Sequence, residues 1–283
     1  MARKQRAAWC IAVMVVGCAA LATAQTKKQF HYPVGPHATI LVVNQFGPVV
    51  VKASNGHQVD VVSVLHSPKI EVDPTQTGNR LEFRTHFLQK ASPEEGRVDY
   101  ELSVPADASV TVNSASGPIS ADGLRSDVIL EGDAAQVSVR NVSSAHVHVK
   151  TLNGSVTLQD ISDGHVEVTS LSGPVTLTNV DGSLVAVNTT SGKIAYTGDF
   201  GGGGEYTLSN HSGDIEVSIP ANASVDISAR SIMGSVENDF PFQQKSHPAF
   251  QVLPGKALAG TSNSGASSVR LRSFSGKIRV KKQ

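Results

Sequence analysis

The sequence predicts an all-β fold: a single-stranded β-helix, or β-solenoid, of 19–21-residue coils with an antiparallel β meander near its N-terminal end. Three observations carry this. First, a short Ser/Asn-rich phrase ending in glycine recurs at Gly117, Gly154, Gly173, Gly192, Gly213 and Gly234, with Ala135 in the place of one glycine. The intervals are 18, 19, 19, 19, 21 and 21 residues, the spacing of a stacked repeat. Second, apolar residues alternate with period two on both sides of each anchor, as in Val147/Val149 before Gly154 and Val156/Leu158 after it, the pattern of strands with one buried face. Third, helical periodicity is missing after residue 25.

Residues 1–24 differ in kind. Arg3, Lys4 and Arg6 precede an apolar run from Ala7 to Leu21, and Ala22-Thr23-Ala24 offers a cleavage site before Gln25, which together read as an export signal. The run is shorter than the ~20 residues of a spanning helix. Val15-Val16-Gly17-Cys18 also resembles a lipobox, so a lipid anchor at Cys18 is the alternative to cleavage after Ala24. Cys10 and Cys18 are the only cysteines, and cleavage after Ala24 would leave no disulfide. The expected locations are periplasmic, outer-membrane-associated or extracellular. With the three signal cations removed, acids outnumber Lys and Arg by three. No basic stripe precedes the Arg279-Lys281-Lys282 tail, which excludes a nucleic-acid footprint.

Residues 25–37, with Pro33 and Pro36, are expected as an irregular lead-in to one solenoid domain over 38–281. Residues 39–51 repeat the unit around Gly47, with Ile40/Val42 before it and Val49/Val51 after it. Four alternating segments within 55–105 read as the meander, assigned to covering an open end of the stack. Residues 106–239 hold the repeat coils. In these, Leu124, Val142, Ile161 and Val180 add a third apolar point seven residues after an anchor, so that each coil has three inward segments and hides them only by stacking on the next. The anchor glycines are read as structural, serving positive φ or close approach of neighbouring turns. Thr151, Ser170 and Thr189, with Asn153, Ser172 and Ser191, are read as hydrogen-bonding ladders at the corner. Residues 240–268 are expected as a loop, and 269–281, around Gly276, as a coil closing the C-terminal end; 42 residues separate Gly234 from Gly276, one coil's worth being diverted into the loop.

No zinc-protease, nucleotide-loop or nucleophile-elbow motif is present, and the Gly201–Gly204 run lacks a following Lys-Ser/Thr and precedes a strand, so it reads as an inter-coil loop. One constellation survives a register test. Asp127, His146 and His165 fall eight residues before successive anchors, and His148 and Glu167 six before. Strand parity turns both columns outward, and coils ~4.8 Å apart would gather the five into one surface patch able to ligate Zn²⁺ or a similar ion. A solvated polar face is the competing reading. Parallel β-helices also include polysaccharide lyases and hydrolases. Two carboxylates about 5–10 Å apart would be needed for glycoside hydrolysis, and Asp214 with Glu216, or Glu216 with Glu237 in adjoining coils, are the outward candidates. No cofactor is implied.

Val-Pro-Ala-Asp-Ala-Ser-Val (104–110), the Ser-Gly-x-Ile/Val units, Ile-Pro-Ala-Asn-Ala-Ser-Val (219–225) and the closing Ser-Gly-Lys-Ile-Arg-Val (275–280) together resemble the bacterial secreted "putative adhesin" family of β-helical domains, a domain of unknown function. The resemblance covers most of 38–281. It implies a non-enzymatic, envelope- or surface-located solenoid and brings no catalytic residues; the long solenoid faces themselves favour a module that binds an extracellular or envelope protein or a polysaccharide, or serves as a scaffold.

Overall fold

The computed structural model describes residues 25–245 and 251–283. The expected export signal, with Cys10 and Cys18, lies outside them. Among the described residues there are strands and turns and no helix, in keeping with the all-β expectation.

Alternating β-branched residues build parallel ladders in which each residue meets its counterpart one repeat later. Val147 pairs with Val166 and Val149 with Val168, and these in turn with Val185 and Val187. After the turn, Val156 pairs with Val175 and Leu158 with Leu177, then with Ile194 and Tyr196. On the third side Val142 pairs with Ile161 and Ile161 with Val180. All these side chains are buried, as are Leu124, Phe200 and Tyr206. Each fully buried Val or Leu contributes roughly 1.5–3 kcal/mol, whereas an exposed ion pair contributes about 0–1 kcal/mol. The interior therefore sets the register, and the surface charges follow it.

Two corners are fixed by backbone requirements. At the anchor corner, a Cβ on Gly173 would collide with the carbonyl oxygen of Gly154, one on Gly192 with that of Gly173, and one on Gly213 with that of Gly192. Close approach is the reason for glycine there; only Gly47 and Gly117 among the anchors also have positive φ, 106° and 108°. The turn's polar groups are met by a buried side-chain column: Gly154 N–H donates to Thr151 Oγ1 at 3.1 Å, Ser170 donates to the Gly173 carbonyl at 3.1 Å, and Thr189 to that of Gly192 at 3.0 Å. Outside it, Ser172 Oγ donates to Asn153 Oδ1 at 2.6 Å. At the second corner Asn141, Asp160 and Asn179 sit at φ of 52°, 53° and 52°, a conformation that Asn and Asp tolerate better than other side chains. Asn179 Nδ2 donates to Asp160 Oδ1 at 3.0 Å.

Four expectations are corrected. Residues 25–37 are not irregular: Thr26–Pro33 is a strand antiparallel to Gln58–Leu65. Its alternating Phe30 and Tyr32 pack on Phe83, with ring centroids 5.9 and 6.0 Å away. Of the segments of 55–105, only Ile70–Thr77 and Arg80–Phe87 pair in succession, so the four do not make one meander. Arg80–Phe87 lies parallel to Thr39–Phe46, and Val98–Pro105 parallel to Val49–Ser54, adding a further rung. Ile70–Thr77 then covers the former and Gln58–Leu65 the latter, both antiparallel. Both strand ladders end here, and each needs its own cover.

The segment 240–268 is not simply a loop, since Ala257–Ser262 pairs antiparallel with Val225–Arg230 and closes that edge, with Gln243–Gln244 pairing outside it. Nor does the last coil close the C-terminal end. Ser267–Ser273 inserts between Glu205–Asn210 and Val225–Ser231, and Ile278–Lys282 between Ile215–Ile219 and Val236–Asn238. Gly276 accordingly packs on Gly213, and Gly234 on Gly276. The early rung around Gly47 behaves similarly: it sits directly under the Gly117 rung, since Thr39–Phe46 pairs with Ser109–Ser116.

Gly173→Ala is expected to destabilise by about 1–3 kcal/mol, the cost of overpacking a closed site, and to lower the thermal midpoint. Gly202→Ala, where a Cβ meets nothing within 4 Å, should leave it unchanged; equal effects in calorimetry would refute the steric role of the anchor.

Candidate functional site

The outward columns of the two strand ladders carry the candidate chemistry. In the first, His146 lies opposite His165 and His148 opposite Glu167 on paired strands. The five predicted side chains do come together, around a shallow depression of ≈ 410 Å³ that Ile129 and Val147 also line. His165 Nε2 is 3.1 Å from Glu167 Oε1 and His148 Nδ1 3.4 Å from Oε2, so one carboxylate is shared by two imidazoles. These contacts, from His165 first, hold the Glu167 carboxyl below its ordinary range. His146 faces His165 ring to ring at 5.1 Å, with Asp127 Oδ1 3.9 Å from its Nδ1. Among the described residues no group of three or more His, Cys, Asp or Glu is placed to hold a metal ion. The geometry is a hydrogen-bonded imidazole–carboxylate cluster on an open face, in place of a convergent ligand set.

Of the carboxylates considered for glycoside hydrolysis, Glu216 and Glu237 are separated by the inserted C-terminal strand, whereas Asp214 and Glu216 stay two residues apart on one side of it. Arg279 pairs with Glu216 on one side and Glu237 on the other, so the two acids are not in adjoining rungs. Glu216 is held by Lys193 at 2.8 Å and by Lys281, and Glu237 by Lys277 and by Arg279 at 3.3 Å. Asp214 Oδ1 accepts the Lys277 backbone N–H at 2.9 Å. The hydrogen bonds from Lys193 and then Lys281 bring the Glu216 carboxyl down to about 2. A general acid at neutral pH needs the opposite shift, and these residues have the chemistry of a surface ion-pair network.

The glycine run is tied down: Ser267 Oγ donates to the carbonyls of Phe200 at 3.0 Å and Gly201 at 2.9 Å, and Gly203 N–H donates to Ser267 Oγ at 3.0 Å. Beneath it Phe200 stacks on Tyr196 at 4.4 Å and meets Tyr206 edge-on at 4.7 Å. Burial pushes the phenol of Tyr206 up to about 12. Here the run closes a turn over an aromatic plug.

The sequence reading passed over the position two residues before each anchor. Leu152, Leu171, Ile232 and Phe274 occupy it and are exposed. The signal was present in the Leu-Asn-Gly, Leu-Ser-Gly and Ile-Met-Gly phrases themselves.

Parallel stacked rungs, covered by antiparallel strands at both ends and carrying their polar chemistry as open surface columns, define a β-solenoid-like module. The chain belongs to the Toastrack DUF4097 family, whose model matches residues 39–281; it is the family of adhesin-like domains that the motifs at 104–110, 219–225 and 275–280 resemble. A crystal structure from Bacteroides fragilis NCTC 9343, described as a putative adhesin, has a similar fold, with a TM-score of 0.51 at 12% identity over 91% of this chain and 98% of that one. A putative cell adhesion protein from Clostridium sporogenes ATCC 15579 aligns over 91% of this chain and 100% of its own at 12% identity, with a TM-score of 0.30. No curated protein sequence matches the chain.

Two measurements follow from this geometry. The Glu216 carboxyl sits at about 2 in the folded protein against ~4.3 in an unfolded chain. Its stabilisation is therefore complete above about pH 4.3 and lost as pH falls through about 2. Glu216→Gln should melt below the parent at pH 7, and the two melting curves should converge by about pH 2; a constant gap would show that the ion pairs contribute nothing specific. Calorimetric titration with Zn²⁺ is expected to give no saturable stoichiometric binding, whereas a single site abolished in His165→Ala would restore the metal-site reading.

Proposed function

We propose that this protein is a non-enzymatic, exported, adhesin-like β-solenoid built of coils of 19–21 residues, acting as a binding or scaffold module of the cell envelope. The observation that carries the reading is the registered stack itself. Each outward position is repeated in the neighbouring rung, as with Thr157 beside Thr176 and Thr169 beside Asn188. A surface of this kind offers an extended partner aligned columns of side chains at fixed intervals. Its candidate acids are spent in ion pairs with Lys193, Lys277, Arg279 and Lys281, which favours recognition over hydrolysis. The similar Bacteroides protein is described as a putative adhesin, which supports this reading. Its partner would be an extracellular or envelope protein or a polysaccharide, reached through the export signal at 1–24 with either a free start at Gln25 or a lipid anchor at Cys18.

Adherence of cells with and without the protein, to one another and to an abiotic surface, tests the proposal. The expected result is reduced adherence in its absence, restored by the purified protein in competition-sensitive fashion. Unchanged adherence would overturn the adhesin reading, and release of reducing or unsaturated sugar ends from a polysaccharide panel by the purified protein would overturn the non-enzymatic one.

A further inference from the structure

Five of the seven large apolar side chains exposed among the described residues lie on one corner of the stack: Leu152, Leu171, Phe274, Ile232 and Met233, the last at 67% exposure. They fall in two groups on the hydrogen-bonded corner, Leu152 with Leu171 and Phe274 with Ile232 and Met233, separated by the rungs that carry Thr190 and His211. Leu171 N–H donates to the Thr151 carbonyl at 3.2 Å, Phe274 N–H to that of Asn210 at 3.1 Å, and Ile232 N–H to that of Ser273 at 3.1 Å. The inserted C-terminal strand places Phe274 between His211 and Ile232, and the Phe274 and His211 rings stack at 4.8 Å and 4°. The exposed apolar side chains are thus densest where the chain is most rearranged.

Charge differs along the corner. Beside Leu152 it is mixed, with Glu131, Asp133 and Lys150. At the Phe274 end the neighbours are cations. Arg272 lines the same depression as Phe274 and Ile232, Arg230 pairs in register with Arg272, and Lys256 Nζ donates to the Met233 carbonyl at 3.0 Å. An exposed apolar group on the corner, flanked by Arg and Lys, is complementary to an interface that is oily within and anionic at its rim. A second copy fits poorly, because a two-fold contact would bring the same cations face to face.

We propose that this corner is a peripheral membrane-docking edge: Ile232, Met233 and Phe274 enter the headgroup region of an anionic lipid bilayer while Arg230, Arg272 and Lys256 meet its phosphates. The proposal extends the envelope reading above, and its test needs no cell, so that failed vesicle binding sinks the docking edge alone and unchanged adherence sinks the adhesin reading alone.

Flotation of the purified protein with phosphatidylcholine vesicles, with and without one-third phosphatidylglycerol, is the experiment. Binding is expected to the anionic vesicles, about tenfold weaker to the neutral ones, and weaker again in high salt. Phe274→Asp and Ile232→Asp should each reduce it at least about tenfold, Phe274→Ser should do so with the least disturbance to folding, and Leu88→Asp, an exposed apolar residue elsewhere, should not. Any acyl chain at Cys18 is common to parent and variants and cancels in the comparison. Equal flotation of parent and Phe274→Ser, no flotation at all, or a concentration-dependent dimer in light scattering that Phe274→Ser dissolves would each overturn the proposal.

Discussion

The structure depends on one contact repeated along the anchor corner, a glycine Cα packed against the carbonyl of the turn one rung away, as Gly173 is on Gly154 and Gly192 on Gly173. A side chain there would hold neighbouring turns apart, and the ladders on both sides would lose their ~4.8 Å spacing. Because the turns nest, Val147, Val166 and Val185 fall in line, and so do the polar residues between them. The surface columns are a by-product of backbone proximity at that corner.

Stacking leaves an open edge at each end, and the N-terminal one is covered on both ladders while the C-terminal one is covered on the Val225–Ser231 ladder. At each end the chain leaves the rung it has just formed, builds antiparallel cover, and returns to the stack. After Ser54 it returns to place the Gly117 rung on the Gly47 rung. After Asn238 it returns to push the Gly276 rung beneath the Gly234 rung. Unpaired strand edges invite pairing with other chains, and Ile70–Thr77, Thr26–Pro33 and Ala257–Ser262 occupy those edges here.

The repeated part of the fold is legible in the sequence because each rung states its needs locally: glycine for nesting, period-two valines for burial, and Asn or Asp at 141, 160 and 179 for positive φ. Order along the stack is not stated locally. Gly276 and Gly234 carry the same signal, and nothing in either says which stacks on Gly213. That is decided by which edge the antiparallel strand Ala257–Ser262 must cover. The cap strands were similarly obscured, since their alternation is visible but their partners lie in rungs distant in sequence. The His146, His148, His165, Glu167 group was legible as an assembly from parity alone. Its hydrogen bonding was not, because side-chain rotamers choose between a shared carboxylate and a common ligand point. The Glu216 and Glu237 pair failed for the same reason as the closing coil: Arg279 arrives between them from the end of the chain.

The inserted rung also gives the polypeptide an order of completion. A chain emerging from its N-terminal end can stack upward through Ile215–Ile219, but Val225–Ser231 has no strand of that stack to join until Ser267–Ser273 arrives. Residues 267–282 are a keystone, and without them the rungs above and below have no common partner. Loss of residues 267–282 would therefore cost far more than their share of length, because it would split the stack between the Gly213 and Gly234 rungs.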